Sequence, residues 1–127
     1  MLAGCVLIAI IVIVFQVNPP KKFKEARDAQ RLDDINSISS GVHKYYIDKG
    51  RLPLPITSTP KQISNNGVDL CSILTPKYIK IIPLDPSGSF YSGCKSYDTG
   101  YTILKINEEV VVSARSEASN SLIRSLK

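Results

Sequence analysis

Residues 21–50 read KKFKEARDAQRLDDINSISSGVHKYYIDKG, the stretch with the strongest secondary-structure signal in the head. Apolar side chains recur in it at intervals of three or four, which is the period of one face of an α-helix. Gly50 follows as a candidate C-terminal cap. The sequence therefore predicts an amphipathic helix of roughly 30 residues, about 45 Å long at 1.5 Å per residue. Its apolar, core-facing positions are Phe23, Ala26, Ala29, Leu32, Ile35, Ile38, Val42 and Tyr45.

The opposite face of this helix is charged, and we expect it to face solvent. Asp28 stands four residues after Lys24 and three before Arg31, spacings that suit weak ion pairs worth about a few tenths of a kcal/mol. A coiled coil is the alternative, but the apolar spacing does not keep a strict heptad, so we expect the helix to pack on a sheet. The charged face carries Glu25, Arg27, Asp28, Arg31, Asp33 and Asp34.

An apolar run precedes the helix. Residues 2–17 read LAGCVLIAIIVIVFQV and contain no charged side chain. A membrane span needs about 20 residues, with about 17 near the lower limit, so a short apolar helix is predicted. Burying each large apolar side chain contributes about 1.5–3 kcal/mol, so this segment should lie in lipid or among its own copies. The side chains expected to form such a packed core are Leu2, Val6, Leu7, Ile10, Ile11, Ile13, Val14 and Phe15.

A break separates the apolar run from the amphipathic helix. Proline removes a backbone donor and clashes with the preceding turn, whereas asparagine suits a helix N-cap and proline its first turn. We therefore predict a kink or a short melted stretch at Asn18, Pro19 and Pro20. The chain divides into a hydrophobic membrane or filament-core helix at 1–18 and a globular head at 19–127, which includes the amphipathic helix 21–50 and a C-terminal sheet.

The rest of the head has weaker signals. Residues 51–66 are rich in proline and asparagine and are expected to form a loop, and 68–74 are expected to form a short helical turn. Residues 101–106 and 109–114 are rich in β-branched side chains and predict a hairpin across Asn107. The predicted fold class is α+β, with a long N-terminal α-helix packed on a small antiparallel β-sheet head.

The three cysteines indicate whether the chain works in an oxidising or a reducing compartment. Cys5 lies in the apolar run, and Cys71 and Cys94 lie in the polar half of the chain. Because an apolar leader argues for export and small exported domains often carry bridges, we predict a Cys71–Cys94 disulfide. Two free thiols in a reducing compartment are the alternative.

The sequence does not predict catalytic chemistry. His43 is the only histidine, no cysteine–histidine cluster has zinc spacing, and no glycine-rich phosphate loop is present. Asp85 and Asp98 stand without the dense carboxylates of a calcium loop. We expect no catalytic site, no cofactor and no metal.

The net charge of +5 favours anionic surfaces in general, although the basic residues are scattered except near residues 21–24. Tyrosines with nearby lysines could stack single-stranded DNA, but core and rim tyrosines are the more ordinary interpretation. The six tyrosines are Tyr45, Tyr46, Tyr78, Tyr91, Tyr97 and Tyr101.

Taken together, these segments resemble a known family. The apolar helix, the proline break and ARDAQRLDDINSISSGVHKYYIDKGRLP at 26–53 look like the spine of type IV pilins and secretion pseudopilins. LTPKYIKIIPLDP at 74–86 and TGYTILKI at 99–106 are similar to the head of bacterial pilins. The resemblance covers nearly the whole chain.

The N-terminus departs from the family. The family's leader ends in glycine, and its mature chain has a glutamate at the fifth place, where this chain has Cys5; the first glutamate here is Glu25. Aligning on the proline break suggests that several N-terminal residues are absent. We therefore assign the family's processing site and its docking glutamate to no residue of this chain.

The resemblance implies a structural function. It implies a single-pass subunit that waits in the cytoplasmic membrane, is then extracted by assembly machinery and polymerises with identical copies into a cell-surface filament for adhesion, motility or DNA uptake. The alternatives are a pseudopilin of a type II secretion-like system and a monomeric membrane-anchored binding module. Counting positive charges would place residues 21–24 in the cytoplasm, whereas export of the head places them outside.

Overall fold

The computed structural model describes residues 19–125, and they form an α+β head. The long helix and the small antiparallel sheet of the predicted fold class are both present. Two helices and five strands make up the head: α1 (Pro19–Lys49), β1 (Lys61–Ser64), α2 (Cys71–Leu74), β2 (Phe90–Tyr91), β3 (Tyr97–Ile106), β4 (Glu109–Arg115) and β5 (Leu122–Arg124).

Strand β3 is the centre of the sheet, whose order is β1-β3-β4-β5 with all pairs antiparallel. The first residues of β3 pair with β2 and the later ones with β4, along one edge, while β1 occupies the other edge. The side chains of β3 alternate strictly between buried and half-buried as far as Leu104. This period of two follows from the pleat and puts one face of the strand into the core.

Helix α1 supplies the other layer of the core. Ile35, Ile38 and Val42 are completely buried, as are Tyr101 and Val112 of the sheet. The middle and C-terminal part of the predicted apolar face therefore packs as expected, and the helix contacts β4 and β5. Burial of a side chain of this size contributes about 1.5–3 kcal/mol, so this layer supplies much of the fold's stability.

Two turns follow the sequence signals. Gly50 ends α1 with φ +73°, and its N–H donates to the carbonyl of Tyr46 at 2.8 Å, which confirms the predicted C-cap. The predicted hairpin is also confirmed, with Asn107 at φ 57° in the turn between β3 and β4. Asparagine tolerates that left-handed backbone better than most residues.

Three strands were not predicted. β1 lies inside residues 51–66, where only a loop was expected, so that expectation is wrong over Lys61–Ser64. β2 and β5 have two and three residues, and β5 lies in the serine-rich tail. β2 and β5 are mostly exposed, and β1 buries its last two residues, Ile63 and Ser64, so none of the three shows an apolar alternation. All three depend on β3 or β4 for their hydrogen bonds.

A close approach brings the loop after residue 84 onto β3. The N–H of Asp85 donates to the carbonyl of Thr99 at 2.8 Å. Gly100 makes this possible, because a Cβ there would lie 2.8 Å from both the Cβ of Asp85 and the carbonyl oxygen of Gly88. Its φ of +80° is also a backbone region that favours glycine. The contact places the Asp85 carboxylate beside helix α1.

Candidate assembly surface

The N-terminal part of the predicted apolar face of α1 does not face the core. Phe23 is 63% exposed, and Ala26 and Ala29 are also exposed. The prediction that these three positions pack inside the head is therefore wrong. We call Phe23, Ala26 and Ala29 the open stripe of α1. No described part of the head covers it.

Charged side chains occupy the inward face of α1 at the level of the open stripe. Arg31 is 1% exposed, and Asp34 is also buried, although both were expected on the solvent face. That expectation is wrong because the sheet and its loops supply partners for the charges. The hydroxyl of Tyr101 donates to Asp34 at 2.6 Å, and the carboxylates of Asp85 and Glu117 reach Arg31.

Arg31 stands at the centre of an ionic cluster. Its Nε and Nη2 donate to the two carboxylate oxygens of Asp85 at 2.9 and 3.1 Å, a bidentate geometry that suits a guanidinium. Its Nη1 donates to Asp28 at 2.8 Å and to Glu117 at 2.9 Å, and Nη2 also donates to Ser87 Oγ at 2.7 Å. Every donor-bearing nitrogen of this buried cation therefore has an acceptor.

The segment after β4 wraps over the same part of α1. Asp28 accepts hydrogen bonds from the Ser116 hydroxyl at 2.6 Å and from the backbone N–H groups of Glu117 and Ala118 at 3.0 and 3.2 Å. Arg27 donates to both carboxylate oxygens of Glu117, at 2.5 and 3.2 Å. The loop that carries Asp85, which we call the Asp85 loop, and the segment after β4 thus both bind to one turn of the helix.

The cluster holds its carboxylates ionised. Burial acts to raise the pKa of Asp28, but the hydrogen bonds from Ser116, Glu117 and Ala118 outweigh it and lower the pKa to about 2. Burial likewise acts against ionisation of Asp85, and Arg31 lowers its pKa. Asp85 is also the main reason that the pKa of Arg31 is raised.

Acid should weaken the attachment of α1 to the head. A carboxyl whose folded pKa lies below its unfolded value contributes stability above the unfolded pKa, and that stability is lost as pH falls through the folded pKa. For Asp28 the loss spans pH values from about 4 down to about 2. We expect the thermal unfolding midpoint of the full chain in detergent to fall steeply across that range. Asp28→Asn should give a shallower pH slope, and equal slopes would contradict the role of Asp28.

The predicted disulfide is present between Cys71 and Cys94. Cys71 is buried at the start of α2, and Cys94 lies in the turn between β2 and β3. Beside it the Tyr97 hydroxyl accepts from the N–H groups of Leu70 and Cys71 at 3.0 and 3.1 Å and donates to Asp69 at 2.7 Å. The bridge and this tyrosine together fix α2 against the sheet.

The remaining predicted site residues fall partly outside the described part of the chain. Asn18 and the whole predicted filament core lie outside the described residues; that core consists of Leu2, Val6, Leu7, Ile10, Ile11, Ile13, Val14 and Phe15. Pro19 and Pro20 begin α1, at the helix positions that proline tolerates. Within residues 19–125 no helix is both long enough and apolar enough to span a bilayer.

The histidine and the tyrosines that were considered as functional residues have different surroundings in the head. His43 is exposed on α1, and no group of histidine, cysteine and carboxylate side chains within 19–125 is arranged to hold a metal. Tyr97 and Tyr101 are buried, and Tyr45 packs edge-on against Tyr78 with ring centroids 5.4 Å apart. Of the six tyrosines proposed to stack on DNA, Tyr91 is the one that is mostly exposed.

Comparison with protein families, with curated proteins and with solved structures finds no significant match to this chain.

Proposed function

We propose that this chain is a structural subunit of the type IV pilin kind, which polymerises with identical copies into a helical filament at the cell surface. The open stripe of α1 is the observation that carries this proposal. The stripe lies in the first turns of α1, and the apolar residues 2–17 come shortly before this helix in the sequence. An exposed apolar surface of this kind marks a contact site for other apolar groups, and other copies of the same chain would supply those groups.

The ionic cluster suits a subunit of this kind. A repeated assembly needs every copy to present its helix and its head at the same angle. Arg31 is surrounded by acceptors from α1, from the Asp85 loop and from the segment after β4, so it fixes the helix relative to the sheet at one point. Heterologous contacts between such rigid copies, when they do not close into a ring, generate a filament.

A charge on the open stripe should block assembly and leave the head folded. We expect Ala26→Glu to remove fibres, because a carboxylate would be desolvated between packed helices. The unfolding free energy should change by less than about 0.5 kcal/mol, since Ala26 is exposed in the isolated chain. Ser58→Glu is the control, because Ser58 is exposed in the loop between α1 and β1, outside both the stripe and the ionic cluster. Fibres of normal yield from Ala26→Glu would contradict a role of the stripe in assembly.

Microscopy of sheared surface material from cells that make the full chain tests the proposal itself. We expect fibres whose mass spectrum contains this chain. If the intact polypeptide, including residues 2–17, is instead a dissolved monomer without detergent, the filament proposal is wrong. A membrane-embedded monomer without fibres would favour an anchored binding module.

A further inference from the structure

A groove lies on the head where the C-terminal half of α1 meets the tip of the β3–β4 hairpin. Its volume is about 510 Å³. Leu52 and Val110, both half-buried, contribute apolar surface to it, and Glu108 and Glu109 line its hairpin side. Among the described residues that line the groove there is no lysine or arginine, and the basic residue is His43 on α1. The groove therefore combines an apolar lining with an acidic hairpin side.

The other end of α1 carries the opposite chemistry. Phe23, 63% exposed, lies among three exposed lysines, Lys21, Lys22 and Lys24. Of these, Lys22 makes a loose pair with Glu25 at 3.5 Å on the helix surface. An exposed aromatic ring with cations around it matches an apolar groove beside carboxylates in apolar character and in charge. We call residues 21–24 the basic segment.

A chain cannot place its own basic segment in its own groove. Phe23 and Tyr46, which also lines the groove, lie on one continuous helix, separated by 23 residues or about 35 Å along its axis. We propose that the groove of one copy receives Phe23 of a second copy, with its lysines against the carboxylate of Glu108. This inference rests on the proposed filament and names one of its contacts.

The contact has a definite geometry. The two surfaces differ and lie far apart on each copy, so the interface is heterologous, and every copy that docks its basic segment still presents an empty groove. The apolar ring would supply most of the attraction, while the lysine–carboxylate pairs would set the register and weaken with salt.

Photo-crosslinking of the full chain tests the contact. A photoreactive benzoylphenylalanine replaces Phe23 in chains assembled into fibres, and the crosslinked peptides are identified by mass spectrometry. We expect crosslinks to a second copy within residues 36–52 or 108–110, the two stretches that line the groove. The same probe at exposed Tyr91 of β2 is the control and should not label these residues. Crosslinks from position 23 to other parts of the head, or none between copies in intact fibres, would overturn the inference and leave the filament proposal standing.

A charge exchange gives a second, independent readout. Lys21→Glu and Glu108→Lys should each lower the crosslink yield from position 23 several-fold, and the double variant should restore it. Lys61→Glu on exposed β1 is the control for net charge. Two outcomes would overturn the pairing of these surfaces: a crosslink yield that falls in the single variants and is not restored in the double variant, or a yield that falls in neither single variant. A chain that forms no assembly even without substitutions would instead overturn the filament proposal and this contact together.

Discussion

Arg31→Met is expected to lower the free energy of unfolding of the full chain by about 3–5 kcal/mol, because it leaves the carboxylates of a buried ion pair without their cation. Methionine keeps much of the volume of the side chain but donates no hydrogen bond. The two carboxylate oxygens of Asp85 would each lose a guanidinium donor at about 3 Å, and Asp28 and Glu117 would lose one donor each. Denaturant unfolding in detergent, followed by circular dichroism, measures the change.

The same substitution at an exposed arginine gives the matched control. Arg51 lies on the surface just after the C-cap of α1, and Arg51→Met should change stability by less than about 0.5 kcal/mol. Replacing Arg31 together with its bidentate partner, as in Arg31→Met with Asp85→Asn, should recover part of the loss because fewer charges stay buried. If Arg31→Met unfolds at the same denaturant concentration as the natural chain, the cluster does not hold α1 to the head.

Removing the disulfide is expected to cost about 3 kcal/mol, the value for a closed loop of about this length. Cys71 and Cys94 are 23 residues apart, and without the bridge the unfolded chain gains the freedom that this loop denies it. Cys71→Ala combined with Cys94→Ala should therefore unfold at a clearly lower denaturant concentration. Alanine avoids placing a new hydroxyl at the buried position of Cys71.

A reducing agent supplies the control for this experiment. The natural chain should become as unstable as the double-alanine variant when reduced, whereas the variant itself should not respond to the agent. A double-alanine variant as stable as the oxidised chain would show that the core around Tyr97 and Leu70 holds α2 without the bridge.

The predictable parts of the fold are those with local causes. The period of 3.6 in residues 21–50 is enough to define α1, and a glycine after its last turn defines its end. Alternation and β-branching define β3 and β4, and Asn107 suits the turn between them. β1, β2 and β5 have no such signal, because each is short and is ordered by pairing with a neighbouring strand.

The ionic cluster could not be predicted from the sequence for a different reason. The helical spacing of Asp28 and Arg31 indicated an ordinary surface pair. Only the folded chain brings Asp85, 54 residues later, and Glu117, 86 residues later, against the same guanidinium. The close approach of the Asp85 loop to Gly100 also depends on contacts between distant segments.

Local sequence patterns are sufficient to define the amphipathic helix, its C-cap and one hairpin, since each of these depends on residues a few positions apart. Which side of the first turns of α1 is covered depends on long-range contacts in the folded chain. There, partners from two distant loops bury Arg31, and Phe23, Ala26 and Ala29 remain outside. Helical periodicity identifies apolar and charged positions, but burial depends on what the rest of the chain places against them.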